Sequence, residues 1–175
     1  PVIGIDFGNQ NLVAALGFDR ERLPLIVPNN LGTLTTPSII GFTDEGRLIG
    51  EEAASVCGRR PACFCRDAKR HLETCARGET LTVGTETLVP EQVFGMLLER
   101  LAAFAETHRR NVLETKGGAE PVRDVVVALP ASALASAAVQ ARVVDAARTV
   151  GLRVRALVSD AVAAAVCYVA THPAV

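Results

Sequence analysis

The sequence predicts an α/β protein with a mixed five-stranded sheet and a small α+β unit inserted into it, and three observations carry that expectation. Near the N-terminus, Val2–Ile5, Leu12–Phe18 and Leu23–Val27 are three strand-like runs separated by short turns, the pattern of an antiparallel meander. Near the C-terminus the order is strand, helix, strand, helix, which implies parallel pairing through right-handed crossovers. A chain of 175 residues that is 49% hydrophobic can bury the core of one domain or one lobe.

Each element has its own local reason. Pro24 places the third strand near an edge or at a strand start. Asn29–Pro37 is a turn-rich exit, and Ser38–Thr43, Asp44–Gly46 and Arg47–Ile49 read as strand, turn, strand. Gly50–Cys57 is expected to be helical, and Phe64–Leu72 to form a short helix carrying Lys69. Thr80–Val89 is a hairpin with Gly84 at its turn. Pro90 opens an amphipathic helix with Glu91 in its first turn and an apolar stripe of Phe94, Leu97, Leu98, Leu101 and Ala105. Lys116–Pro121 is the most linker-like stretch. Val122–Leu129 is nearly all apolar and ends at Pro130, as a buried central strand would. An Ala-rich helix follows, with Val139, Val143, Ala146 and Val150 on one face and Gly151 as its stop; Val154–Val158 is a strand and Asp160–Ala170 a helix. Residues 1–34 and 112–175 are thereby assigned to the core of the fold and residues 35–111 to the inserted α+β unit.

Composition excludes several function classes. The net charge is −1 with both signs scattered, so there is no nucleic-acid or membrane-surface footprint. No apolar run approaches the roughly 18 residues of a membrane span, and a cytoplasmic protein is expected. Five cysteines without a C-x-x-C pair argue against a disulfide framework and a structural zinc site; Cys63 and Cys65 with His71 are the one residual metal pattern. Arginine outnumbers lysine sixteen to two, so Lys69 and Lys116 stand out, and the use of a compact ammonium there, codon bias and chance explain this equally well.

The chemistry converges on the first turn. Gly8 in Asp6-Phe7-Gly8-Asn9-Gln10-Asn11 permits positive φ and close approach of a ligand, exposed amides there can cradle an anion, and Asp6 at the strand end can take a hard cation such as Mg²⁺, directly or through water. Ligands of open α/β sheets collect outside the strand ends, where Asp6–Asn11, Pro130 and Ser159-Asp160 are expected to lie. Lys69 joins them if the inserted unit folds over that edge. A nucleoside triphosphate with Mg²⁺ suits such a set, although no P-loop, G-x-G-x-x-G or protein-kinase signature is present.

In this order along the chain, Ile3–Gly8, Thr35–Ser38 with Gly41–Thr43, Leu48–Gly50, Asp67–Arg70, Pro90–Val93, Val126–Ala131, Asp145–Arg148 with Gly151-Leu152, and Ala163–Ala165 with Tyr168 resemble the nucleotide-binding domain of the 70-kDa heat-shock chaperones, within the actin and sugar-kinase ATPase superfamily. The resemblance implies a ribonuclease H-like first lobe of the ATPase domain, with a second lobe and a substrate domain expected beyond Val175. It implies ATP or ADP and Mg²⁺ as ligands, with Asp6 near the metal through water, Gly8, Asn9, Gln10 and Asn11 on the phosphates, Lys69 and Asp160 as catalytic residues, and Pro130 as an interdomain switch. It further implies a stress-response and protein-folding role, with other 70-kDa chaperones or J-domain co-chaperones as partners and unfolded clients bound through the C-terminal region.

Departures from the family pattern narrow this. Asn9 and Gln10 stand where hydrolytic members have two threonines, Ser159-Asp160-Ala161 replaces Asn-Glu-Pro, and Gln140 falls where an arginine is expected. The changes resemble the 110-kDa and ribosome-associated branches, which implies nucleotide binding with weak or lost hydrolysis. A fully active chaperone ATPase and a small-molecule kinase of the same superfamily are the alternatives.

Overall fold

The computed structural model describes residues 1–18, 23–113 and 120–172; most of the linker-like stretch at 116–121 lies outside them. The elements run β1 (Val2–Phe7), β2 (Asn11–Gly17), β3 (Leu25–Val27), β4 (Thr36–Pro37), β5 (Ile39–Thr43), β6 (Gly46–Ile49) and α1 (Glu51–Val56). A 3₁₀ turn (Pro61–Cys63) leads to β7 (Phe64–Arg66), α2 (Ala68–Thr74), β8 (Leu81–Val83), β9 (Glu86–Leu88) and α3 (Pro90–Leu113). The chain finishes with β10 (Asp124–Leu129), α4 (Ala131–Leu134), α5 (Ala137–Thr149), β11 (Arg153–Ser159) and α6 (Asp160–Thr171).

The architecture is mixed α/β around a mixed sheet of order β11-β10-β1-β2-β3. β1, β2 and β3 pair antiparallel, with Phe7 opposite Leu12 and Ala14 opposite Val27, while β1, β10 and β11 pair parallel. Alternation sets the inner face: Ile3, Ile5 and Phe7 of β1 and Leu12, Ala14 and Leu16 of β2 are buried. Two smaller sheets, β6-β5-β7 and the β8-β9 hairpin, come from the middle of the chain.

Three local expectations are corrected. The expected helix Phe64–Leu72 is half strand: β7 pairs with β5, placing Phe64 opposite Gly41, and only from Ala68 is the chain helical. The absence of a side chain at Gly41 makes this possible, since a Cβ there would fall 2.1 Å from the Phe64 ring. Asp67, at φ 57°, turns the chain between the two elements. The exit Asn29–Pro37 ends in β4, which pairs with the start of β2 and gives the main sheet a sixth, two-residue member. Gly8 is not a positive-φ residue; its requirement is close approach, because a Cβ there would lie 2.3 Å from the Asn11 carbonyl oxygen.

The stripe of α3 is buried along its length, from Val93 and Phe94 through Leu97, Leu98 and Leu101 to Ala105, and the Phe94 ring stacks on Phe7 at 3.8 Å between centroids. Gly95 lets α3 approach α5 so closely that a Cβ would meet the Ala146 carbonyl at 2.8 Å. One continuous core runs from Ile3 and Leu16 through Phe94 and Leu98 to Ile40, Leu72, Val83 and Val143. At the sheet's far edge β10 and β11 shift register between Val125 and Val126, leaving Arg155 as an extra residue; Arg153 and Arg155 each contact Asp124 at 2.8 Å. Among the described residues no helix is long and apolar enough to cross a membrane.

Candidate functional site

Register brings the strand ends together. Asp6 is paired with Ala128 on one side and Val13 on the other, and Leu129 is paired with Ser159, so the carboxyl ends of β1, β10 and β11 lie side by side. Asp6 therefore sits beside the strand that ends at Pro130, and Asp160 begins α6 one strand further on. α2 presents Lys69 from the middle of the chain, 6% exposed although charged.

The electrostatics of Asp6 register this convergence. Asp6 is exposed at its strand end, yet partial desolvation by the neighbouring strand ends and the negative charge of Asp160 raise its carboxyl above the usual range, and the ammonium of Lys69 pulls it back down. Lys69 and Asp160, 63 and 154 positions from Asp6 in sequence, thus both act on its carboxyl. Asp160 Oδ1 accepts the backbone N–H of Ala161, consistent with an acidic residue in a first helical turn. Pro130 is the N-cap of α4, and its carbonyl accepts the N–H groups of Ala133 and Leu134.

The turn Gly8–Asn11 is tied to the exit strand. The N–H of Ser38 donates to the Gln10 carbonyl at 2.8 Å, and Asn11 pairs with Pro37. Between them lies a groove of about 460 Å³ bordered by Asn9, Gln10, Asn11, Ser38, Arg66 and Asp67. The side chains of Asn9, Gln10 and Asn11 are exposed there, free to donate from their amides.

A hard divalent cation fits the donor set in a restricted way. Asp6 and Asp160 supply two carboxylates whose mutual repulsion a cation would relieve, and Mg²⁺ commonly takes one or two carboxylates and completes its shell with water and phosphate oxygens. Among the described residues no group of three or more His, Cys, Asp or Glu could hold a metal by itself. Cys63, Cys65 and His71 form no such group, and burial together with nearby Asp67 and Cys75 pushes the Cys65 thiol up to about 11, away from the thiolate a metal requires.

Two arginines escaped the sequence reading. Arg66, at the rim of the groove, was hidden because the alternation of β7 is only three residues long. Arg142 is buried in α5: its Nε donates to Glu91 Oε1, and its NH1 group to the carbonyls of Leu72 and Cys75, all at 2.6 Å. Its signal in sequence was a charged residue adjoining the apolar Val139–Val143 face. Gln140, which stands where an arginine was expected, donates to the Leu134 carbonyl at 2.6 Å.

The family model for the Hsp70 protein matches residues 2–81, so over this stretch the chain resembles the N-terminal region of the Hsp70 nucleotide-binding domain. The match takes in Asp6, Gly8–Asn11 and Lys69, and stops short of Pro130 and Asp160.

Proposed function

We propose that the chain is the N-terminal ATP-binding lobe of a divergent 70-kDa-type chaperone or co-chaperone, holding ATP or ADP with Mg²⁺, hydrolysing it weakly or not at all, and supporting protein folding. The supporting observation is the alignment of the β1, β10 and β11 ends, with Asp6, Lys69 and Asp160 in one electrostatic field. In this reading residues 1–34 and 112–175 form a ribonuclease H-like core and 35–111 the inserted subdomain, although α3 packs on β1 and stacks Phe94 on Phe7.

Each side chain then has a task. Gly8 lets the phosphates approach the backbone, and Asn9, Gln10 and Asn11 donate amide hydrogens to them. Asp6 would hold Mg²⁺ through water, and the ion would supply positive charge to neutralise the phosphates. Lys69 places its ammonium toward the terminal phosphate or an attacking water, and Asp160 orients that water. Two departures weaken the last steps: amides replace the hydroxyls of threonine, and Asp160 is one methylene shorter than a glutamate. An ångström of misplacement costs on the order of a hundredfold in rate. Pro130, between β10 and α4, is the position through which the state of the cleft would reach partner domains, and with them other chaperones or J-domain co-chaperones and unfolded clients.

Calorimetry with ATP and Mg²⁺ on the full-length protein, paired with single-turnover hydrolysis, tests the reading. Measurable affinity with negligible turnover is expected, and Lys69→Ala should alter the nucleotide response. No detectable affinity would sink it; rapid turnover abolished by Lys69→Ala would replace it with an active chaperone ATPase.

A further inference from the structure

The helix that carries Lys69 is short and has no side-chain cap where it begins. α2 spans seven residues, too few to hold helical form alone. Its N-cap, Asp67, makes no side-chain capping bond and sits in the left-handed region at φ 57°. β7 sets where the helix starts, through Arg66 opposite Ile39, and its far end is fixed from elsewhere.

That other end is clasped. The Arg142 NH1 group reaches from α5 to the carbonyls of Leu72, in the last turn of α2, and of Cys75, its C-cap, each at 2.6 Å. A guanidinium here satisfies carbonyls that a helix leaves open at its C-terminus and meets the negative end of its dipole. The same side chain is held by Glu91 Oε1, at 2.6 Å from Nε, on the first turn of α3. Arg142 is 5% exposed, so the three bonds form away from water, where charge-assisted hydrogen bonds are strongest. Three helices from distant parts of the chain thus meet at one guanidinium, and Lys69 lies one helical turn from its contact at Leu72.

We propose that Arg142 is a positioning residue for Lys69: by fastening the C-terminal end of α2 to α3 and α5, it keeps the buried ammonium of Lys69 directed at Asp6. The inference rests on the reading of Lys69 as a site residue, but its test needs no nucleotide. Failure of nucleotide binding and failure of the clasp are therefore separately visible.

The chain's two lysines make the test clean. Native acylation with an amine-reactive ester, read by mass spectrometry, reports Lys69 with Lys116 as the reference, and hydrogen exchange reports α2 against β1 and β2. In Arg142→Met, Lys69 acylation is expected to rise at least about tenfold relative to Lys116, the factor that loss of one charge-assisted hydrogen bond supplies. Amides of α2 should lose protection while those of β1 and β2 keep it. Arg142→Lys should recover part of the protection, since one ammonium can still reach a carbonyl. Should Arg142→Met fail to fold, Glu91→Gln removes one arm of the clasp and is read the same way, with a smaller increase expected. Unchanged Lys69 acylation in a folded variant overturns the proposal. So does an equal loss of protection across α2, β1 and β2, because Arg142 would then serve stability in general.

Discussion

Single residues decide whether the first turn can work. Gly8→Ala would drive a Cβ to 2.3 Å from the Asn11 carbonyl, so the turn must open. The expected outcome is loss of MgATP binding by calorimetry, with a stability loss of about 1–3 kcal/mol in denaturant melts, typical of an overpacked position. Asn9→Thr combined with Gln10→Thr restores hydroxyls and should raise single-turnover hydrolysis without weakening binding. Glu91 supplies a pH test. Burial alone would raise its carboxyl, but the hydrogen bond and charge of Arg142 outweigh this and hold it below its ordinary value of 4.5. A lowered folded-state value means stabilisation present above pH 4.5 and lost as pH falls through the folded value. Glu91→Gln should therefore be less stable than the parent at pH 7, with the difference shrinking below pH 4.5, as measured by denaturant melts across pH.

Helices and strands carry the next layer. α3 touches both the sheet and α5, and its two contacts make opposite demands: bulk at Phe94 and no side chain at Gly95. Phe94→Ala should cost about 3–5 kcal/mol in denaturant melts, the usual loss for a buried aromatic. This helix was legible in the sequence because Pro90, Glu91 and the apolar stripe from Phe94 to Ala105 agree. β1, β2, β5 and β6 were legible for the same reason, each combining apolar runs with turn residues. β7 was not, because three residues carry no periodicity that separates strand from helix, and its strand form depends on Gly41, more than twenty positions away. β4 was hidden likewise, since two residues pair only because β2 has an open edge at Asn11. In the site, Asp6 and Gly8 stood out through local turn chemistry. Arg142 did not, since its value lies in carbonyls some seventy positions distant.

At the scale of the molecule, apolar surface is unevenly covered. Val162, Val166, Tyr168 and Val169 of α6 are all exposed, as are Leu25 and Ile26 on β3 at the opposite edge of the sheet. The 175-residue chain should consequently self-associate, with Val166→Glu and Val169→Glu lowering the sedimenting mass; a monomer insensitive to both changes would contradict this. The charged site lies between these two edges, at strand ends whose alignment depends on the bulge at Arg155. That extra residue works as a frameshift in the sheet: it advances everything after it in β11 by one position relative to β10. Were Arg155 paired with Val126 instead of bulged out, each later side chain would exchange faces, Leu129 would meet Val158 in place of Ser159, and Asp160 would emerge about 3.3 Å out of step with Asp6. The phasing of the two carboxylates is thus written at the foot of the strand, beside Asp124, a full strand length from where they meet.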